Sequence, residues 1–183
     1  MYQGNNPSAI RSRNEIVKSF LSLLATHDLE SVSIKRIMDG IDLSRQTFYQ
    51  IFNSKKDITE YYLDELFGSF IAHSHDKSIN SLCDAAKLFF SFFADYRDTL
   101  ALCIRNGKSC VVQRKCREHL RKEHYVHYAL SGVRTAREQS YATTFAISGM
   151  VAMLEQWILE QDGDMSVQEL ALLICRITGD KNG

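Results

Sequence analysis

Residues 31–56 read SVSIKRIMDGIDLSRQTFYQIFNSKK, and the pattern is that of two short helices joined by a tight turn. The first runs from about Ile34 to Asp39 behind Ser33, whose hydroxyl can accept one of the amide hydrogen bonds left open at a helix start. The second follows Ser44, another capping residue, and covers Arg45 to Phe52. Gly40-Ile41-Asp42-Leu43 lies between them and is too short for anything but a corner. On the second helix Phe48, Ile51 and Phe52 recur at i, i+3 and i+4, so one face is apolar and turns inward. The other face carries Arg45, Gln46, Thr47, Tyr49 and Gln50, with no acid among them. These donors gather near the helix N-terminus, where backbone amides and the positive end of the dipole already favour phosphate. That is a helix-turn-helix whose second helix is shaped to enter the major groove of DNA.

Working outward, the N-terminal side supplies a third helix. Residues 1–10 read as a flexible arm, and from Arg11 onward Ile16, Val17, Phe20, Leu23 and Leu24 form one buried stripe that ends near Thr26-His27-Asp28. Arg11 and Arg13 can reach phosphate or a minor groove, but two arginines near a terminus are more often simply solvated. On the C-terminal side Asn53-Ser54 interrupts the pattern and Lys55 opens another helix. A cation at a helix start opposes the dipole, a defect that makes sense if Lys55 faces a phosphate.

The same residues carry a resemblance. Thr47-Phe48-Tyr49, Phe52, Lys55 and Ile58, preceded by Ile37 and by Leu43-Ser44, resemble the DNA-binding signature of the tetracycline-repressor (TetR) family. The family's usual turn glycine falls on Asp42, with Gly40 two residues early. The resemblance implies an all-α fold: a three-helix DNA-binding domain with its N-terminal arm over residues 1–54, then a helical ligand-binding and dimerisation domain over residues 55–183. It implies a homodimeric regulator, usually a repressor, that binds double-stranded DNA at a palindromic operator. A small-molecule effector in the C-terminal domain would alter the spacing of the two heads. Arg45 and Gln46 are the expected base readers, since Arg pairs with guanine and Gln with adenine. Thr47 adds a methyl or phosphate contact and Gln50 completes the outer face. Ser33, Ser44, Tyr49 and Lys55, whose phosphate role the resemblance also assigns, hold the backbone and set register.

The rest of the chain is helix-like. A long helix runs from Lys55 through Ile58, Tyr61, Leu66, Phe67, Phe70 and Ile71 and ends in the polar run His73-Ser74-His75-Asp76. Leu82 to Tyr96 is crowded with Phe89, Phe90, Phe92 and Phe93, apolar nearly all round, and so either buried or facing a cavity. Further helices are expected at about 98–105, 109–130, 136–160 and 167–177, broken at Asn106-Gly107 and Ser131-Gly132. Phe89, Phe93, Tyr96, Cys103, Tyr125 and Trp157 are the candidate lining of an effector site. Tyr141, Phe145, Gly149 and Trp157, with Ala142, Ala146 and Ala152 between them, leave a smooth strip. With the helix after Val167 it can pair with its own copy as a four-helix interface. This spacing also resembles C-terminal regions of some TetR-type regulators.

Two further patterns have plainer readings. Arg114, Lys115, Arg117, Arg121 and Lys122 read as a solvated basic face in preference to a second nucleic-acid surface. Cys116, His119, Glu123 and His127 form one stripe with the chemistry of metal ligands, but one helix rarely encloses a metal, and the stripe reads as a polar rim. No metal or cofactor is expected, and no phosphate-cradling glycine loop, nucleophile elbow, HExxH or cofactor fingerprint points to an enzyme.

Composition sets the limits. The chain has 183 residues, 45% of them hydrophobic and 24% charged, and a single proline, which suits short connections between helices. Five cysteines, an odd number without a CxxC, read as reduced thiols of a cytoplasmic protein. No apolar run suggests a membrane span and no signal-peptide pattern opens the chain. Net charge is zero, and residues 1–60 hold eight Lys/Arg against seven Asp/Glu. DNA binding must therefore come from the placement of a few groups, with weak non-specific affinity.

Overall fold

Hydroxyl and amide caps decide where most of the described helices begin. The computed structural model describes residues 6–122, 133, 135–160 and 165–179. Asn6 Oδ1 accepts from the Ser8 amide and Pro7 takes the first helical position, so α1 spans Pro7–Leu24. The expected flexible arm over residues 1–10 is thus corrected: Pro7 onward is helix, because a cap and a preset φ come together there. Ser33 and Ser44 cap α2 (Ile34–Asp39) and α3 (Arg45–Ile51), each accepting from the third amide of its helix. Ser54 caps α4 (Lys55–Ser74) and Ser81 caps α5 (Leu82–Ala94) in the same way. Thr135 with Glu138 and Ser166 with Glu169 form capping boxes at the starts of α8 (Ala136–Leu159) and α9 (Val167–Thr178). Between them lie α6 (Arg97–Cys103) and α7 (Ser109–Lys122), joined by a kinked wide turn at Ile104–Lys108 in which Gly107 takes φ 72°. No strand occurs among the described residues.

Two apolar clusters organise these helices. In the first, Ile16, Phe20 and Leu24 of α1 meet Ile37, Phe48, Ile51, Phe52 and Ile58. In the second, Leu63 to Ile71 of α4 packs with α5 to α9. α4 contributes to both, as a rod that runs out of one core and into the other. α5 and α9 lie along each other, α4 packs on α7, and α7 on α8. α8 is long and apolar enough to cross a bilayer by length and composition. Its Ile147, Met150, Val151, Leu154 and Ile158 are nonetheless buried in the second core.

Three expectations are corrected here. The cysteines are not all reduced: Cys83 of α5 and Cys175 of α9 are joined in a disulfide, their Cα atoms 4.9 Å apart because the two helices lie alongside. Their separation of 92 residues leaves no trace in the spacing. Cys103, Cys110 and Cys116 stay free. The basic face of α7 is not simply solvated, because α4 offers it acids: Lys115 Nζ reaches Asp64 at 2.6 Å with its side chain 12% exposed. Arg114 pairs with Glu60 and Glu118 at 3.4 Å each. The ligand-like stripe is also divided. Cys116 is buried and His119 Nε2 bonds Asp64 at 3.1 Å, while Glu123 and His127 lie outside the described residues. No group of three such side chains gathers among the described residues.

Phe67, Phe70, Phe89, Phe90 and Phe93 are all essentially buried. Their rings meet mostly edge to face, with Phe89 and Phe93 centroids 4.9 Å apart and Phe70 and Phe89 5.6 Å apart. Phe89→Ala should cost about 3–5 kcal/mol of unfolding free energy, measured by urea titration, because the cavity forms where every neighbour is already packed.

Candidate nucleic-acid interface

Phe48 and Phe52 are wholly buried and Ile51 is 3% exposed, so α3 can present only one face to solvent. That face holds Arg45, Gln46, Tyr49 and Gln50, all exposed, with Thr47 half-buried at its edge. Tyr49 is 59% exposed and its ring meets Phe48 edge-on. Ser44 Oγ accepts from the Thr47 amide at 3.1 Å and lies 3.0 Å from the Thr47 hydroxyl. These two hydroxyls therefore occupy each other at the helix start. Ser33 accepts from the Arg36 amide at 3.2 Å and stays exposed.

The corner closes without glycine in the usual place. The Leu43 amide donates to the Ile41 carbonyl at 2.9 Å, a three-residue turn centred on Asp42. Gly40 has an ordinary right-handed conformation at φ −86°. Ser19 Oγ, which donates to the Ile37 carbonyl at 2.8 Å, lies beside it, 3.4 Å from where a Cβ would stand. α1 thereby holds the end of α2, and α2 sets the angle at which α3 leaves the corner.

Lys55 departs most from its expected role. Its ammonium donates to the Leu29 carbonyl at 2.7 Å and to the Val32 carbonyl at 2.6 Å. Two of its three donors are thus committed within the chain, and the cation at the start of α4 ties down the α1–α2 loop. Asp57 restores the favourable sign in that first turn. Burial works against its charge, but the Asn53 amide and the Ser54 hydroxyl hold its carboxyl below the ordinary value. The two N-terminal arginines are partnered too: Arg11 Nε reaches Glu15 at 3.0 Å and Arg13 lies 4.9 Å over the Tyr61 ring.

Some candidate contacts escape a reading of the sequence. Lys35 and Arg36 stand exposed beside Ser33, next to the exposed Asp39 and Asp42 that partly offset them. A cleft of about 430 Å³ separates the start of α1 from α3, lined by Asn6, Ser8, Ser12, Thr47 and Gln50. The signal for it is the pair Asn6-Pro7, a cap followed by a first-turn proline, which starts α1 early enough to flank α3.

Among the described residues the expected effector lining is divided between the core and a cleft. Phe89, Phe93 and Cys103 are core residues, and burial pushes the Cys103 thiol up to about 11. Tyr96 stacks on Phe92 at 5.2 Å and, with Cys103, lies close to Tyr62, whose phenol burial pushes up to about 12. Tyr125 lies outside the described residues. Trp157 donates from Nε1 to the Met165 carbonyl at 3.0 Å and carries Arg97 over its ring at 4.4 Å. It lines a cleft of about 440 Å³ with Met153, Met165, Leu170, Leu173 and Ile177. A third cleft, about 450 Å³, opens where Ala25 after α1 meets Arg97, Leu102 and Arg105. Among the described residues, Phe89, Phe93, Tyr96 and Cys103 line none of these three clefts.

Because Lys55 is spent on carbonyls, Lys55→Ala should lower stability by about 1–3 kcal/mol. The slope of log affinity for DNA against log salt should stay unchanged, whereas a lost phosphate contact would lower it by about 0.9. A urea titration and a salt series of binding isotherms measure the two effects.

No known family profile matches the chain, and no curated protein matches it in sequence. Among solved structures it is similar to the dihydroxyacetone kinase operon activator DhaS, with a TM-score of 0.64 and 17% identity over 93% of each chain. The chain has the all-helical fold of that regulator along nearly its whole length.

Proposed function

We propose that this chain is a homodimeric, sequence-specific DNA-binding transcriptional regulator, with residues 1–54 reading a palindromic operator and residues 55–183 pairing and taking a small-molecule effector. The observation that carries this is the exposed, acid-free face of Arg45, Gln46, Tyr49 and Gln50 on a helix whose other face is locked by Phe48, Ile51 and Phe52. The likeness in fold to DhaS, an operon activator, supports a regulator over an enzyme. The TetR-like signature points to repression, whereas DhaS activates its operon. For a chain that binds an operator, the sign follows from where the operator lies relative to the promoter. Its place of work is then the compartment that holds the DNA.

Pairing is supported by the outer face of α8. Tyr141 is 68% and Phe145 75% exposed, and Gly149 and Ala152 continue the same strip toward Gln156. A side chain added at Gly149 would meet nothing within 4 Å in the monomer, so the glycine leaves room for a partner. Ile177 of α9, 66% exposed, extends the apolar area. One recognition helix reads only a few base pairs, and two copies on a two-fold axis read both halves of a palindrome. Phe145→Asp should shift the chain from dimer to monomer in sedimentation velocity, with its helical circular dichroism retained.

A second reading is a co-regulator that acts through a partner protein without binding DNA. It is favoured by the zero net charge and by the inward commitment of Lys55. Fluorescence anisotropy with a duplex selected from a random-sequence pool, against its scrambled version, separates the two. Specific sites are typically ~10³–10⁷ tighter than non-specific ones at physiological salt. Arg45→Ala should cost about 1–3 kcal/mol on the selected duplex and little on the scrambled one. If selection enriches no sequence, the DNA-reading model is wrong and a protein partner becomes the reading to pursue.

A further inference from the structure

The loop of residues 25–33 joins α1 to α2 and feeds directly into Ser33, the cap on which α2 starts. Its own bonds are local turns: the Ser31 amide and hydroxyl reach the Asp28 carbonyl at 3.0 and 2.8 Å, and the Val32 amide reaches Leu29 at 3.3 Å. Leu29 is 8% exposed and Val32 is fully buried, so the loop belongs to the first core even though it is not helical. Backbone groups buried in such a loop need partners from elsewhere.

Two side chains from outside the helix-turn-helix supply them, one on each side of the same residue. Lys55 takes the Leu29 and Val32 carbonyls. The Leu29 amide donates to Asn106 Oδ1 at 2.7 Å, across 77 residues of sequence. Asn106 in turn donates from Nδ2 to the Leu102 carbonyl of α6 at 2.9 Å. One carboxamide thus holds the first core with its oxygen and its own helix with its nitrogen. Among short side chains only Asn and, with a longer reach, Gln offer a fixed acceptor and donor together.

The backbone at this point is built to hold that side chain out. Asn106 sits at φ −86° and ψ 24°, outside helical values, and Gly107 follows at φ 72°. A Cβ at Gly107 would meet nothing within 4 Å, so the glycine is there for its left-handed conformation and not for space. The α6–α7 junction, anchored on both sides in the second core by Leu100, Cys103, Ile104 and Val112, therefore ends in a side chain that grips the first.

We propose that Asn106 and Lys55 form a clamp on the α1–α2 loop through which the body of the protein sets the pose of the helix-turn-helix. Asn106 is then a positioning residue for DNA reading although it stands outside the DNA-binding head. This role rests on the DNA-binding reading above, while the clamp itself does not. A hydrogen bond of this length is lost when its ends separate by about 0.5–1 Å, so a shift of the α6–α7 junction either carries Leu29 with it or breaks the clamp.

The test compares the full chain with its Asn106→Ala, Asn106→Asp and Arg45→Ala variants by amide hydrogen exchange and by anisotropy on the selected and scrambled duplexes. Asn106→Ala should speed exchange in residues 26–33 by about fivefold to tenfold, the effect of one lost hydrogen bond of ordinary net strength. Affinity for the selected duplex should fall by a similar factor. Asn106→Asp keeps an acceptor for the Leu29 amide but loses the donor to the Leu102 carbonyl, so it should open the loop no more than Asn106→Ala does. Wild-type exchange in Asn106→Ala overturns the clamp. Faster exchange with unchanged DNA affinity, in a protein whose affinity Arg45→Ala does reduce, overturns the positioning role. If the wild-type chain shows no sequence preference, the DNA-binding reading has failed and the positioning role with it. The exchange rates then decide the clamp alone.

Discussion

The insertion of Phe48 and Phe52 into the core beneath α1 and α4 is the constraint from which the rest of the candidate interface follows. A helix of seven residues has little stability of its own, and α3 exists because these rings and Ile51 are removed from water on one side. With three inward positions fixed, helical geometry leaves Arg45, Gln46, Tyr49 and Gln50 no choice but to face out. The polar face is thus a consequence of the apolar one. Ser44 and Thr47 then satisfy the helix start with each other, so the orientation is set before any ligand arrives.

α4 carries this arrangement into the body. Its N-terminus begins inside the first core at Ile58 and its middle belongs to the second from Leu63 to Ile71. Lys55 and Asp57 have different tasks at its start: the lysine ammonium donates to loop carbonyls, and the aspartate answers the helix dipole. Asp64 farther along receives Lys115 and His119 from α7, so polar contacts hold the rod beside the ring contact of His119 with Phe67. The two cores are consequently joined by a shared helix and by the Leu29–Asn106 bond.

Much of this was legible in the sequence because it depends on local spacing. The boundaries of α2, α3 and α4 follow from Ser33, Ser44 and Ser54 and from the i, i+3, i+4 recurrence of apolar residues, and these signals lie within one or two turns of the helices they define. The exposed face of α3 was legible for the same reason. The early start of α1 was written in Asn6-Pro7 but was masked by the polar composition around it. The phenylalanine-rich α5 was ambiguous by nature: rings all round a helix describe a packed core and a lined cavity equally well. Only the positions of Phe67 and Phe70 on a neighbouring helix close the space.

By itself, then, the sequence determined that this protein is all-helical, where most helices begin and which face of α3 is apolar, since caps and periodicity act over a few residues. The tertiary structure alone decided what long-range neighbours do with side chains whose chemistry allows several partners. Lys55 offers the same three donors to a phosphate or to a carbonyl, and it found Leu29 and Val32 because α4 starts beneath that loop. Cys83 and Cys175 became a pair because α5 and α9 lie alongside each other, and Asn106 reached Leu29 because a left-handed Gly107 turned the chain toward the head. Each is a contact between residues far apart in the chain, and neither composition nor spacing encodes which distant groups the packing of cores will bring within bonding distance.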